Sequence, residues 1–137
     1  MISVGEPAPD FTLPDQGGQE VSLSDFKGHR VLLVFYPLDF SPVCSDQLTL
    51  YRDIAPQLKE AGVTPLGISV DSAFAHKAFQ DHLGIDTTLL ADFEPKGAVA
   101  SAYGAYLDGA GHSNRSLVLI DADGKVWLAV YHEAVAE

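Results

Sequence analysis

The stretch Pro37-Leu38-Asp39-Phe40-Ser41-Pro42-Val43-Cys44 has the residue types and spacing of thiol chemistry. Cys44 is the only cysteine in the chain. Before the stretch lies the apolar run Val31 to Tyr36. After it, Leu48, Tyr51, Ile54 and Leu58 recur at steps of three and four, which makes one face of a helix apolar. That order predicts strand, tight polar loop, helix. Ser41 would be the N-cap, Pro42 the first helical residue and Cys44 a residue of the first turn. A helix N-terminus supplies free backbone N–H groups and partial positive charge, and both favour a thiolate over a thiol. Ser41 lies one helical turn before Cys44, so its hydroxyl can reach the same small pocket as the sulfur and there accept or donate. Pro37 pre-sets the backbone of the loop and shields the thiolate from water. A thiolate so placed is a nucleophile, and a cation beside it would keep it ionised. Arg115 is the candidate cation. It is far away in sequence, but the order of strands would bring it beside the carboxyl end of the central strand, where open α/β sheets bind ligands.

Each of these residues also has a plainer reading. A lone cysteine is most often a small buried hydrophobe; the Pro-flanked helix start with a hydroxyl before it favours the reactive reading here. An N-cap role accounts for Ser41 by itself. Arg115 alone would read as a surface turn residue. Phe40 and Val43 either line the pocket or pack at a subunit interface.

The elements that must hold these residues can be read along the chain. Phe11 to Leu13 and Glu20 to Leu23 flank the turn Asp15-Gln16-Gly17-Gly18, a hairpin signal. Ser24 to Gly28 reads as a capped single turn. Val31 to Tyr36 does not alternate, as in a strand buried on both faces. The helix after the loop ends at Gly62. Val63 to Val70 is a second strand, with Pro65 expected at its start or at an edge. Asp71-Ser72 caps a helix running to Leu83 and stopped by Gly84. Leu89 to Ala91 is a third strand, and Glu94-Pro95 opens a short helix to Tyr103, closed by Gly104. Leu117 to Ile120 and Val126 to Tyr131 flank Asp121-Ala122-Asp123-Gly124 as a closing hairpin. The predicted fold is α/β, with a mixed central sheet, helices on both faces and an N-terminal hairpin.

Composition narrows the function classes. With 137 residues, 47% of them hydrophobic and 20% charged, one soluble globular domain is expected. A net charge of −11 with only 8 Lys and Arg disfavours nucleic acid and anionic membrane surfaces. No apolar run approaches the length of a membrane span. Residues 1–10 carry no basic and apolar signal-peptide pattern. A single cysteine excludes an intramolecular disulfide and fits a reduced, cytoplasmic setting. His29, His76, His82, His112 and His132 show no metal-ligand spacing, and read as solvated or structural. Gly104, Gly109 and Gly111 do not link a strand to a helix as a phosphate loop does. Neither a cofactor nor a metal is expected.

The chain resembles the peroxiredoxin family. Pro37-x-x-x-Ser41-x-x-Cys44 is similar to that family's signature, with serine in place of the commoner threonine. Gly5-x-x-Ala8-Pro9-Asp10-Phe11-x-Leu13 and Asn114-Arg115-Ser116 also match, in the same order, so the resemblance spans essentially the whole chain. It implies a thioredoxin-like fold and a thiol-dependent peroxidase acting on hydrogen peroxide or organic hydroperoxides. Cys44, Ser41, Arg115 and Pro37 would be its catalytic residues. Gln47 matches the position that steadies the arginine. No resolving cysteine is present, and Thr49 stands where one branch keeps it. The nearest resemblance is therefore to the one-cysteine bacterial branch of alkyl hydroperoxide reductase E type, which implies an external thiol reductant: a low-molecular-weight thiol, a glutaredoxin or a thioredoxin. It also implies a homodimer, and a single domain over 1–137 lacking most of a closing C-terminal helix, with Ala134-Val135-Ala136 as its stub.

Three rivals share parts of this pattern. A thiol–disulfide oxidoreductase would need a Cys-x-x-Cys pair or a proline before the closing hairpin, and the last proline is Pro95. A cysteine hydrolase would need a His base near the thiol. A non-catalytic or redox-sensing thioredoxin-fold interaction module would leave Cys44 with an ordinary thiol pKa.

Overall fold

The computed structural model describes residues 2–41, 48 and 53–132. The N-terminal hairpin forms as expected, from β1 (Thr12–Pro14) and β2 (Glu20–Ser22), followed by a 3₁₀ turn over Leu23–Phe26. The centre is a five-stranded mixed sheet. Strands β3 (Arg30–Phe35), β4 (Val63–Ser69) and β5 (Thr88–Ala91) run parallel. Two-residue strands β6 (Tyr106–Leu107) and β7 (His112–Ser113) form a small separate hairpin. Strand β8 (Arg115–Ile120) runs antiparallel to β3, and β9 (Val126–His132) antiparallel to β8. The order across the central sheet is β5-β4-β3-β8-β9.

The apolar run of β3 explains its central place. Val31, Leu33 and Phe35 enter one core with Leu66, Ile68, Leu90, Val118 and Ile120, closed by Tyr103 and Val99. Val34 and Tyr36 enter a second core with Leu48, Phe79 and Leu89, against which Leu32 and Leu58 also pack. Side chains alternate across a strand, so the lack of sequence alternation reflects two buried faces. Helices α1 (Ala55–Glu60) and α2 (Ala73–Leu83) cover the second core, and α3 (Ala98–Ala102) covers the first. Ser72 caps α2 through its hydroxyl, which accepts from the Ala75 N–H, and left-handed Gly84 ends it. Pro65 lies one residue before the β4–β5 ladder begins at Leu66, so no β5 partner needs its missing N–H.

Three features depart from the sequence reading. The helix expected from Pro42 to Gly62 is broken at Ile54, because Pro56 in the first turn of α1 has no N–H to continue the ladder. Its expected onset at Ser41 and Pro42 lies outside the described residues, as does the Ala134 to Ala136 stub. Helix α3 starts at Ala98 and not at Glu94-Pro95, which instead forms a turn with a cis peptide bond. The hairpin of β6 and β7 is too short to leave a periodic signal.

Candidate active site

The loop after β3 is pinned from three directions. The Tyr36 N–H donates to the Ile68 carbonyl at 3.2 Å, so the chain leaves the sheet paired with β4. The Tyr36 carbonyl accepts from the Ser113 hydroxyl at 3.0 Å, which ties it to the segment entering β8. The Asp39 N–H donates to Asp71 Oδ2 at 2.8 Å, which ties it to the turn between β4 and α2. Asp71 is held in turn by the Ser69 hydroxyl at 2.6 Å.

Beneath the loop lies a buried polar cluster. The Tyr36 hydroxyl donates to Asp39 Oδ1 at 2.6 Å, and Asp39 Oδ2 meets His76 Nδ1 at 2.8 Å. On the far side of the ring, His76 Nε2 donates to the Leu90 carbonyl of β5 at 2.9 Å. His76 and Tyr36 are fully buried, where polar groups need partners, and this cluster supplies them. Burial pushes the Tyr36 hydroxyl well above its usual pKa, reinforced by the charge of Asp39 and the hydrogen bond donated to it. Tyr36 therefore acts as a neutral donor.

Asp39, Asp71 and His76 bring three metal-ligand atoms within 4.8 Å of one another. The ring nitrogen and the Asp39 carboxylate already bond each other, and Asp71 is engaged by Ser69 and Asp39. The cluster is thus satisfied without an ion.

Pro37 and Ser41 are half-buried. The Ser41 hydroxyl donates to the Leu38 carbonyl at 3.0 Å across the loop. Phe40 takes a left-handed backbone, φ 68°, and its ring packs on Phe79 at 4.9 Å and His82 at 5.5 Å between centroids. Half of Phe40 stays exposed, so it offers an apolar wall beside the loop.

Arg115 is the first residue of β8, and Ser116 pairs with Phe35, the last residue of β3. The register therefore sets Arg115 beside the carboxyl end of the central strand, as the sequence anticipated. Asn114 is buried there; its N–H donates to the Ala105 carbonyl and its side chain accepts from Ser116. Pro37, Phe40, Ser41 and Arg115 thus all belong to segments that converge at one end of the sheet. Cys44, Val43 and Gln47 lie outside the described residues.

Sequence reasoning missed Asp39, Asp71 and His76 as a connected group. His76 and Phe79 are three apart on α2 and so share its buried face. That spacing was the available signal that one of five histidines belonged to the interior.

Comparison with known proteins identifies the family. Residues 4–129 match the model of the AhpC/TSA family. Alkyl hydroperoxide reductase E of Mycobacterium tuberculosis is 41% identical over 130 residues, covering 94% of this chain and 85% of the relative. The putative peroxiredoxin bcp of Coxiella burnetii is 40% identical over 131 residues, covering 91% and 85%. Among solved structures, the peroxidoxin BcpB of Mycobacterium tuberculosis superposes with a TM-score of 0.90 at 30% identity, covering 98% of this chain and 88% of that one. The chain belongs to the AhpC/TSA family as a peroxiredoxin, a thiol peroxidase of thioredoxin-like fold.

Proposed function

We propose that this chain reduces hydrogen peroxide or an organic hydroperoxide through Cys44 alone, and that a thiol from outside the chain completes the cycle. The Cys44 thiolate attacks the distal oxygen of the peroxide. The O–O bond breaks, its electron pair leaves on the alkoxide or hydroxide, and that oxygen takes a proton to become an alcohol or water. Cys44 is left as a sulfenic acid. An external thiol then attacks the sulfenic sulfur, releasing water and forming a mixed disulfide, and a second thiol frees Cys44. Arg115 stabilises the thiolate and the departing oxygen, Ser41 bonds the peroxide, and Pro37 keeps water from the sulfur. Gln47 steadies Arg115.

The observation that carries this reading is a sequence one: there is no second cysteine to resolve the first. The register of Arg115 beside the end of β3 supports its assigned role. A low-molecular-weight thiol, a glutaredoxin or a thioredoxin would serve as reductant. Exposed Leu38 and Phe40 beside the loop are compatible with a homodimer contact, and the lone thiol with a cytoplasmic setting.

Oxidation with one equivalent of hydrogen peroxide should leave a sulfenic acid on Cys44, seen by mass spectrometry as a dimedone adduct. Adding a candidate thiol should convert it to a mixed disulfide. Cys44→Ser should abolish peroxide consumption; a variant that still consumes peroxide at the wild-type rate would end this reading.

A further inference from the structure

We infer that Asp39 and His76 form a proton-holding latch that positions the Pro37–Ser41 loop for peroxide reduction, closed while the pair shares one proton and open when it holds none. The inference rests on the peroxidase reading of the same loop.

The hydrogen bonds fix the proton count. The Leu90 carbonyl can only accept, so His76 Nε2 carries a hydrogen. The hydroxyl hydrogen of Tyr36 is directed to Asp39 Oδ1 at 2.6 Å, while the same hydroxyl oxygen stands 3.4 Å from Nδ1. What remains is Nδ1 facing Asp39 Oδ2 at 2.8 Å. Two lone pairs cannot meet at that distance, so one proton lies between them. It belongs to the pair and to neither residue alone. The groups facing it are Tyr36 from the end of β3, Asp71 from the β4–α2 turn and the Leu90 carbonyl from β5. Removing the proton turns a charge-assisted bond into a buried repulsion.

The latch acts on the loop because Asp39 is part of it, two residues after Pro37 and two before Ser41. His76 is part of α2, whose Phe79 also holds the Phe40 ring. Neither residue need touch the peroxide; both are positioning residues.

Asp39→Asn separates this device from a merely structural contact, because it reverses the sign. The amide that replaces the carboxylate can still accept from Tyr36, and its N–H can donate to Nδ1 of a neutral His76. That pair closes without the shared proton and opens when Nδ1 is protonated. The rate constant for Cys44 oxidation by hydrogen peroxide is measured against pH for wild type and variant, and the ratio cancels the titration of Cys44. The ratio of Asp39→Asn to wild type should rise about tenfold or more from acid to alkaline pH. With His76→Asn the side-chain amide donates at every pH, so the alkaline fall expected of wild type should vanish. Amide exchange protection of Asp39 and Ser41, corrected for intrinsic rate, reports latch closure without any peroxide. It should fall at alkaline pH in wild type but not in Asp39→Asn. A wild type that never forms sulfenic acid would overturn the peroxidase reading while the exchange data still judge the latch. Rate ratios that are flat with pH for both variants, or wild-type protection that stays flat into the alkaline range, would overturn the latch.

Discussion

Phe40 carries an aromatic side chain on a left-handed backbone, a conformation costing roughly 1–3 kcal/mol that persists only when its surroundings hold it. The ring contacts with Phe79 and His82 are the visible compensation. Substitution can separate backbone from ring. Phe40→Gly and Phe40→Ala both remove the ring, but only glycine takes positive φ without steric cost. Urea unfolding should find Phe40→Gly more stable than Phe40→Ala by about 1 kcal/mol, the reverse of the order found in a strand or helix; an equal or inverted order would mean that the left-handed turn does not exist in solution. Arg115 has a purely functional counterpart. If its guanidinium holds the departing oxygen, Arg115→Gln should lower the rate constant with hydrogen peroxide by about 10²–10³. Arg115→Lys should fall between, since a point charge replaces a two-pronged donor, and stopped-flow rates within about twofold of wild type for both would remove Arg115 from the reaction. The positions of Pro37 and Arg115 could be read in the chain because they lie just after the end of β3 and at the start of β8. The φ of Phe40 could not, because nothing local in Asp39-Phe40-Ser41 demands it; packing on α2 does.

At the scale of elements, the start of α3 shows how a cap can escape a local rule. The Asp92 N–H donates to the Ser69 carbonyl, which fixes the residue at the end of β5. Its two carboxylate oxygens accept from the Val99 and Ala100 N–H groups at 3.0 and 2.9 Å. An ordinary N-cap reaches two or three residues ahead, whereas Asp92 reaches seven and eight ahead across the Glu94-Pro95 turn. The chain therefore suggested a proline-initiated helix while the true cap stood earlier. Burial raises the Asp92 pKa, opposed by those two backbone hydrogen bonds. The folded state then keeps a proton that the unfolded chain releases, so Asp92's contribution is fully present below the unfolded value near 3.8 and declines as pH rises through the folded pKa. Asp92→Asn cannot titrate. The stability advantage of wild type over this variant, from urea unfolding at a series of pH values, should shrink upward from about pH 4; an advantage that grows with pH would show that the carboxylate is the favoured buried form. The same contrast explains α1 and α2. Ser72 and Gly84 bracket α2 at ordinary cap distances and were legible, while the break at Ile54 required weighing Pro56 against the continuous apolar face formed by Leu48, Tyr51, Ile54 and Leu58.

Over the whole molecule, the two cores meet through β3 and β4, and Gly67 of β4 lies under tightly packed side chains of the second. The double-faced strand β3 was legible because a short continuous apolar run between turn signals fits a strand covered on both sides. The close fit of Leu89 and Tyr36 over β4 was not, because it depends on a missing side chain. Gly67 pairs with Val34 on one side and Leu89 on the other. A Cβ there would stand 2.7 Å from Leu89 Cδ2 and 3.4 Å from the Tyr36 ring, both fully buried. Glycine weakens a strand, so its presence here is accounted for by the room it leaves for Leu89 and for the ring that holds Asp39. Gly67→Ala should therefore cost about 1–3 kcal/mol through overpacking and lower the thermal midpoint by several degrees. Leu89→Ala alone should also destabilise, by opening a cavity. Combined, the two changes should cost less than the sum of their separate effects, because the added methyl enters the space that the leucine vacates. Strictly additive losses in a double-mutant cycle would place the two residues out of contact and remove the packing reason for Gly67. A compensating double variant that also recovers amide protection at Asp39 would tie the tight packing over β3, β4 and β5 directly to the loop that Tyr36 anchors.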